Sequence, residues 1–127
     1  MYFHMIMPLG ADPNASDKRQ RVKRIAEAHK LVAHFPNYST VKPSFDLNST
    51  IQDLKGASFV IADLSLERPS CYYELGLAEA LRKRVHLIAQ AGTDIHQTAA
   101  RDNVLFFDDL IQFEAVIDAI LLKESKK

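Results

Sequence analysis

The sequence predicts a single α/β domain, one parallel sheet of about five strands with helices on both faces. Three observations lead there. Short apolar runs alternate along the chain with longer stretches of helical periodicity. The central runs, Ser58–Ala62 (SFVIA) and Val85–Ala89 (VHLIA), are apolar without alternation, as expected of parallel strands covered on both faces. The 127 residues contain no linker-like interior stretch, so residues 1–127 read as one domain.

The elements follow in order. Tyr2–Met7 (YFHMIM) is a strand ended by Pro8. The stretch from Pro8 to Ser16 (PLGADPNAS) is loop, and Ser16 or Asp17 can cap the helix after it. That helix is expected to run to about His34, with Val22, Ile25, Ala26, His29 and Val32 on one side, until Pro36 and Asn37 stop it. Lys18, Arg19, Arg21, Lys23 and Arg24 form a basic stripe expected to be a solvated face. Ser39–Lys42 is expected to be a short strand before Pro43. A short helix begins at Ser49 or Thr50 and ends at Gly56. The strand Ser58–Ala62 carries Asp63 at its carboxyl end, and the loop LSLERPS leads into a helix from about Cys71 to Lys83. After Val85–Ala89 comes a polar stretch, Gln90–Asn103. A last strand at Val104–Phe107 and a last helix at Leu110–Leu122 follow, and the terminal KESKK is expected to fray. Right-handed crossovers make a flavodoxin-like, Rossmann-like strand order the natural one. Ligands of such sheets bind beyond the carboxyl ends of the strands. That edge would hold Pro8–Ser16, Pro43–Asn48, Asp63–Cys71 and Gln90–Asn103.

Composition narrows the function classes. Sixteen basic residues balance sixteen acidic ones, so no global field draws the chain to nucleic acid or an anionic membrane. No apolar run is long enough to span a bilayer, and no signal peptide is visible. The single cysteine, Cys71, cannot form an internal disulfide, so a reducing, cytoplasmic setting is expected. Its place at a helix start can lower its pKa, but no histidine pairs with it in sequence reach. His4, His29, His34, His86 and His96 show no metal-ligand spacing, and no metal or cofactor is expected. His4 and His86, in buried strands, read as core residues making a hydrogen bond. No Walker loop is present. Gly10, in a loop before a helix, offers backbone amides to a phosphate.

The most informative stretch is Ala62–Ala78, ADLSLERPSCYYELGLA. Glu74 is expected in the first turn of a helix starting at the ligand edge, projecting from its tip into a sugar-sized hollow. There the macrodipole favours the ionised carboxylate, which can attack a sugar C1′ or steady an oxocarbenium-like centre. Acidic residues are also common in first turns for helix stability alone, although a capping box would need Ser or Thr where Cys71 stands. Gly76, inside the helix, costs about 1 kcal/mol against alanine and is expected to permit close packing.

The segment FVIADLSLERPSCYYELGLAEALRKRVHLIA resembles the core motif of the nucleoside 2-deoxyribosyltransferase-like superfamily: apolar strand, variable loop, a Tyr73-Glu74-Leu75-Gly76 helix start, a small-residue helix and a second apolar strand. The opening YFHMIMP is similar to the family's first strand. The matched parts cover about half the chain. The resemblance implies cleavage or transfer of the N-glycosidic bond of a nucleoside or nucleotide, as in the deoxyribosyltransferases and the deoxynucleoside monophosphate N-glycosidases. It makes Glu74 the nucleophile and Tyr2 its positioning residue. Arg68 then faces base or phosphate, where its guanidinium can fork onto a phosphate; the same residue also suits a solvated loop. The family's aspartate at the start of the short helix is matched by Thr50, with Asp46 and Asp53 out of register. Asp63 is left to protonate the leaving group, or else to serve as a turn carboxylate bonded to backbone amides. Pro8, Gly10, Arg68, Ser70, Tyr73 and His96 form the candidate substrate-binding set. The Asp-Leu-Ser…Arg-Pro loop also looks like TIR-like relatives that cleave NAD or sense a nucleotide. A non-catalytic nucleotide-binding module is a third reading. A small-molecule partner and a homodimer or larger homo-oligomer are expected, the latter through the helices at Ala78 and Phe113.

Overall fold

The computed structural model describes residues 1–35 and 45–126. The strands are β1 (Tyr2–Ile6), β2 (Val32–His34), β3 (Val60–Asp63), β4 (Val85–Gln90) and β5 (Leu105–Phe107). The helices are α1 (Ala15–Ala28), α2 (Leu47–Gly56), α3 (Pro69–Ala80) and α4 (Leu110–Ser125). All pairings are parallel, in the order β2-β1-β3-β4-β5. This is the flavodoxin-like order, and it reverses direction between β1 and β3.

Strand alternation divides the core in two. Phe3, Met5 and Met7 of the β1 segment, Phe59 and Ile61, and Ile88 pack against α1 and α4. Ile6, Val60, Ala62, Leu87 and Ala89 pack beneath α2 and α3, against Leu54, Cys71, Leu75 and Ala78. Ala78 and Phe113 are fully buried in these layers, while Ile111 and Leu122 of α4 stay exposed.

The largest departure from the sequence reading is between residues 28 and 35. Helix α1 ends at Ala28, and residues expected to continue it form β2, which pairs with β1 along Tyr2–Val32, Phe3–Ala33 and His4–His34. The stop is a Schellman turn: Lys30 is left-handed (φ 59°), its N–H donates to the Glu27 carbonyl, and the Leu31 N–H donates to the Ala26 carbonyl. Glycine, the usual signal, is missing, which is why the boundary reads as helix. The strand expected at Ser39–Lys42, and Pro36 and Asn37, lie outside the described residues. Helix α3 ends by the same device, with Arg82 at φ 60° and the Lys83 N–H bonded to the Ala78 carbonyl.

Other ends shift less. Asn14, not Ser16 or Asp17, stands at the α1 cap, and its N–H donates to Asp12 Oδ1. Asp46 caps α2 by accepting from the Ser49 N–H, so that helix starts before Ser49. Helix α3 starts at Pro69, two residues before Cys71. Helix α4 runs on to Ser125 because Glu124, expected in a frayed tail, is buried against the start of β4. It accepts from Arg84 Nε (2.8 Å) and Nη2 (2.5 Å) and lies 2.5 Å from His86 Nε2. Burial opposes its ionisation, but the bonds from Arg84 and His86 prevail and bring its pKa down from 4.5 to about 2. His86, half-buried at the start of β4 and not in the core as expected, is thus held by a carboxylate.

Lys18 also departs from expectation. It belongs to the basic stripe yet is 2% exposed. Its ammonium lies 2.5 Å from Asp12 and 2.9 Å from Asp63, over the rings of Phe107 and Phe113. Burial alone would depress its pKa, but the attraction of Asp63 and the hydrogen bonds to Asp12 and Asp63 carry it above the ordinary value. The rest of the stripe also has partners: Arg21 and Arg24 both reach Glu114 on α4, and Arg19 and Lys23 lie over the Phe35 ring.

Two outcomes follow from these ion pairs. Lys18→Met strands two carboxylates, and is expected to cost about 3–5 kcal/mol in urea denaturation; a cost below about 1 kcal/mol contradicts the pairing. Glu124 contributes stability that is complete above pH 4.5 and is lost as the pH falls toward about 2. A urea series across that range should show the loss in the parent protein, and a shallower one in Glu124→Gln.

Candidate functional site

Two groups of polar side chains gather on opposite faces of the sheet. On the α1 face, the parity of β3 sends Asp63 toward Lys18. Asp63 is fully buried, and its Oδ1 accepts from the Ser65 N–H (3.1 Å) and the Ser65 hydroxyl (2.6 Å). Ser65 Oγ in turn accepts from the Gln90 N–H, tying the loop after β3 to the end of β4. Asp63 is therefore the turn carboxylate of the two roles the sequence left open. As a proton source for a bond attacked by Glu74 it is on the wrong side of the sheet.

On the α2/α3 face, the other parity of β1 presents Tyr2 and His4. Glu74 descends onto this face from α3. Because α3 begins at Pro69, Glu74 lies in the second turn and not the first, and it is 3% exposed. The expectation that it projects from a helix tip into a hollow is corrected: the carboxylate is turned over the sheet. Its Oε2 is 3.6 Å from His4 Nε2, an ion-pair distance slightly beyond a hydrogen bond.

Behind His4 the cluster continues. His4 Nδ1 lies 3.2 Å from His34 Nδ1, and His34 Nε2 lies 3.9 Å from Asp53 Oδ1. The β1–β2 register puts the two imidazoles side by side. Tyr2 closes the row. Its hydroxyl donates to the Asp53 carbonyl (2.6 Å), and its ring tilts against His34. A Cβ at Gly56 would lie 2.5 Å from the Tyr2 hydroxyl and push it off the Asp53 carbonyl. Burial and the Asp53 charge both raise the Tyr2 pKa. Among the described residues Tyr2 therefore holds α2, and the β1 side chain meeting Glu74 is His4.

The remaining candidates line the carboxyl edge. Pro8 is buried, and its carbonyl accepts from the Asp12 N–H. Gly10 is exposed, and a Cβ on it would meet nothing within 4 Å among the described residues. The same holds at Gly76, so the expected close packing there is not found. Arg68 is exposed at the α3 cap, its carbonyl accepting from the Cys71 N–H. Ser70 is also exposed, next to the buried Cys71. Tyr73 is exposed beside Phe45, with ring centroids 5.0 Å apart. His96 bonds Glu67 (2.8 Å), and its N–H donates to the Tyr72 hydroxyl. Leu66 and Glu67 are successive left-handed residues (φ 68° and 51°), so the loop entering α3 is strained. Thr50 sits in α2 with its N–H on the Asp46 carbonyl. Among the described residues no cluster of His, Cys, Asp and Glu is arranged to hold a metal ion, and no helix is long and apolar enough to cross a membrane.

The backbone can now be set beside solved structures. The chain superposes on a 2-deoxyribosyltransferase from the psychrotolerant bacterium Bacillus psychrosaccharolyticus with a TM-score of 0.63 at 16% identity, covering 95% of this chain and 96% of that one. The fold is nucleoside 2-deoxyribosyltransferase-like. The CMP N-glycosidase BcmB of Clostridium botulinum gives the same TM-score, 0.63, at 13% identity, over 93% of this chain and 99% of that one. The constitutive lysine decarboxylase of E. coli gives 0.57 at 16% identity, covering 99% of this chain but 17% of that protein. No family model matches, and no curated protein matches in sequence.

Sequence reasoning missed His4, His34 and Asp53 as one cluster. Its signal was available only in part: Tyr2 and His4 share a strand face by parity, but His34 joins them only once β2 is recognised.

Cys71 is buried beside Glu74, contrary to the lowered pKa its helix position suggested. Burial first, then the charges of Glu74 and Asp63, push its thiol up to about 12. Iodoacetamide at pH 8 is expected to leave the native protein unmodified by intact mass and to label it fully in urea. Rapid native labelling would contradict this placement.

Proposed function

We propose that this domain cleaves or transfers the N-glycosidic bond of a nucleoside or nucleotide, with Glu74 as the carboxylate that attacks C1′. The observation that carries the reading is the placement of Glu74: a carboxylate in α3, aimed across the sheet at an imidazole, in a fold shared with a deoxyribosyltransferase and a CMP N-glycosidase. The chemistry needs an ionised oxygen near the anomeric carbon and a charged or polar grip on the rest of the substrate. Arg68, Ser70 and Tyr73, exposed on α3 and its cap, are assigned that grip. The β1–α1 loop, with Pro8 and Gly10, borders the reversal of strand order between β1 and β3. His96 stands farther along the same edge. The substrate is a small molecule.

A second reading, a nucleotide-binding module without turnover, is favoured by the 3% exposure of Glu74 and by Thr50 in place of an acidic residue.

The test is a panel of nucleosides, mononucleotides and NAD, with free base followed by chromatography. Base release is expected, falling at least about a hundredfold in Glu74→Ala with the fold intact by circular dichroism. Release unchanged in that variant rejects Glu74 as nucleophile. Ligand-dependent thermal stabilisation with no release by the parent protein selects the binding module. Nicotinamide release from NAD alone selects a TIR-like activity.

A further inference from the structure

The row Glu74–His4–His34–Asp53 constrains where its protons are. Two Nδ1 atoms 3.2 Å apart need one proton between them, because two lone pairs or two N–H groups would repel. His4 is 1% exposed, and its Nε2 has no hydrogen-bond partner among the described residues while facing a carboxylate oxygen at 3.6 Å. A bare lone pair there would set two acceptors against each other out of water, so Nε2 carries a proton. His34 Nε2 lies 3.9 Å from Asp53 Oδ1, where both side chains reach solvent, so water as well as the carboxylate meets it. A proton on His34 Nε2 as well would give the two imidazoles three ring protons and one positive charge between them, with a carboxylate at each end.

We propose that His4 and His34 form a two-imidazole relay, sharing one proton between their Nδ1 atoms with His34 Nε2 protonated toward Asp53, and with His4 as the positioning residue that orients the Glu74 carboxylate. Moving the shared proton from His34 to His4 shifts the positive charge from the half-buried outer ring to the buried inner ring, against Glu74. No bond to carbon is made or broken in this step, and the proton count of the pair is unchanged. The role assigned to Glu74 rests on the function proposed above, whereas the proton arrangement stands on the geometry alone.

Among the described residues, the titratable groups around the pair come from β1, α2 and α3. Tyr2 is on β1, Asp53 on α2 and Glu74 on α3, with Cys71 beside Glu74. The Tyr2 hydroxyl is raised above its ordinary value of 10, and the Cys71 thiol is raised to about 12. Neither competes for the shared proton at neutral pH.

The test reads the ring nitrogens by long-range 1H–15N NMR at pH 7 in the uniformly 15N-labelled full chain. Both Nε2 atoms are expected to be protonated, with both Nδ1 atoms at shifts intermediate between bare and protonated. His34→Phe and His34→Gln should each return the His4 Nδ1 signal to the shift of a bare nitrogen. A His4 Nε2 signal typical of a lone pair in the parent protein overturns the relay, as does a His4 spectrum unchanged in both variants. Where base release is measurable, His4→Gln, which keeps an N–H, should retain at least about tenfold more kcat than His4→Leu. Equal kcat in the two overturns the positioning role. Because the NMR result does not depend on turnover, failure of the relay and failure of the enzymatic reading are told apart.

Discussion

A single buried ammonium holds the carboxyl edge of this sheet together. Lys18 reaches from the first turns of α1 to Asp12 in the loop after β1 and to Asp63 at the end of β3. Those two strands flank the reversal of strand order, where a doubly wound sheet opens its crevice. Removing a charge from water costs several kcal/mol, which only close and complete pairing offsets. Two carboxylates around one lysine, with Phe107 and Phe113 beneath it, meet that condition. The second oxygen of Asp63 then fixes Ser65, and Ser65 fixes the end of β4. The loop that launches α3, and with it the position of Glu74, is anchored through this chain of bonds.

Strand parity does the rest. In β1, Phe3 and Met5 go to one core while Tyr2, His4 and Ile6 go toward α2 and α3. A one-residue slip of register would exchange the two sets. The sheet thus separates a structural ion cluster, built on Lys18, from the row Glu74–His4–His34–Asp53. Of the two acidic residues that drew attention in the sequence, Asp63 serves the first and Glu74 lies in the second.

Much of the fold was legible because its signals are local. The unalternating runs around Val60 and Leu87 announce buried parallel strands, and Gly56 does end α2. What failed was also local in appearance but tertiary in cause. Lys30 adopts a left-handed conformation that its side chain does not advertise, so the residues of β2 read as helix. Lys18 looks like every other lysine of a basic stripe, and only Asp63, 45 positions away in sequence, draws it inside. Glu74 was singled out by a motif, but its depth depends on where α3 starts, and Pro69 moved that start. Tyr2 was named for its place in a motif, whereas the contact with Glu74 belongs to His4. The Asp53 carboxylate, set aside as out of register, is brought to His34 by the packing of α2 against β1.

The central claim is that the side chain at position 74 bonds covalently to a sugar. A slow-turnover 2-fluoro-2-deoxy nucleoside, incubated with the protein and followed by peptide mass spectrometry, tests it most directly. The account predicts a mass increase equal to the fluorinated glycosyl group on the peptide containing Glu74, with one equivalent of base released. Base released with that peptide unmodified, or with the sugar found on another residue, would contradict it.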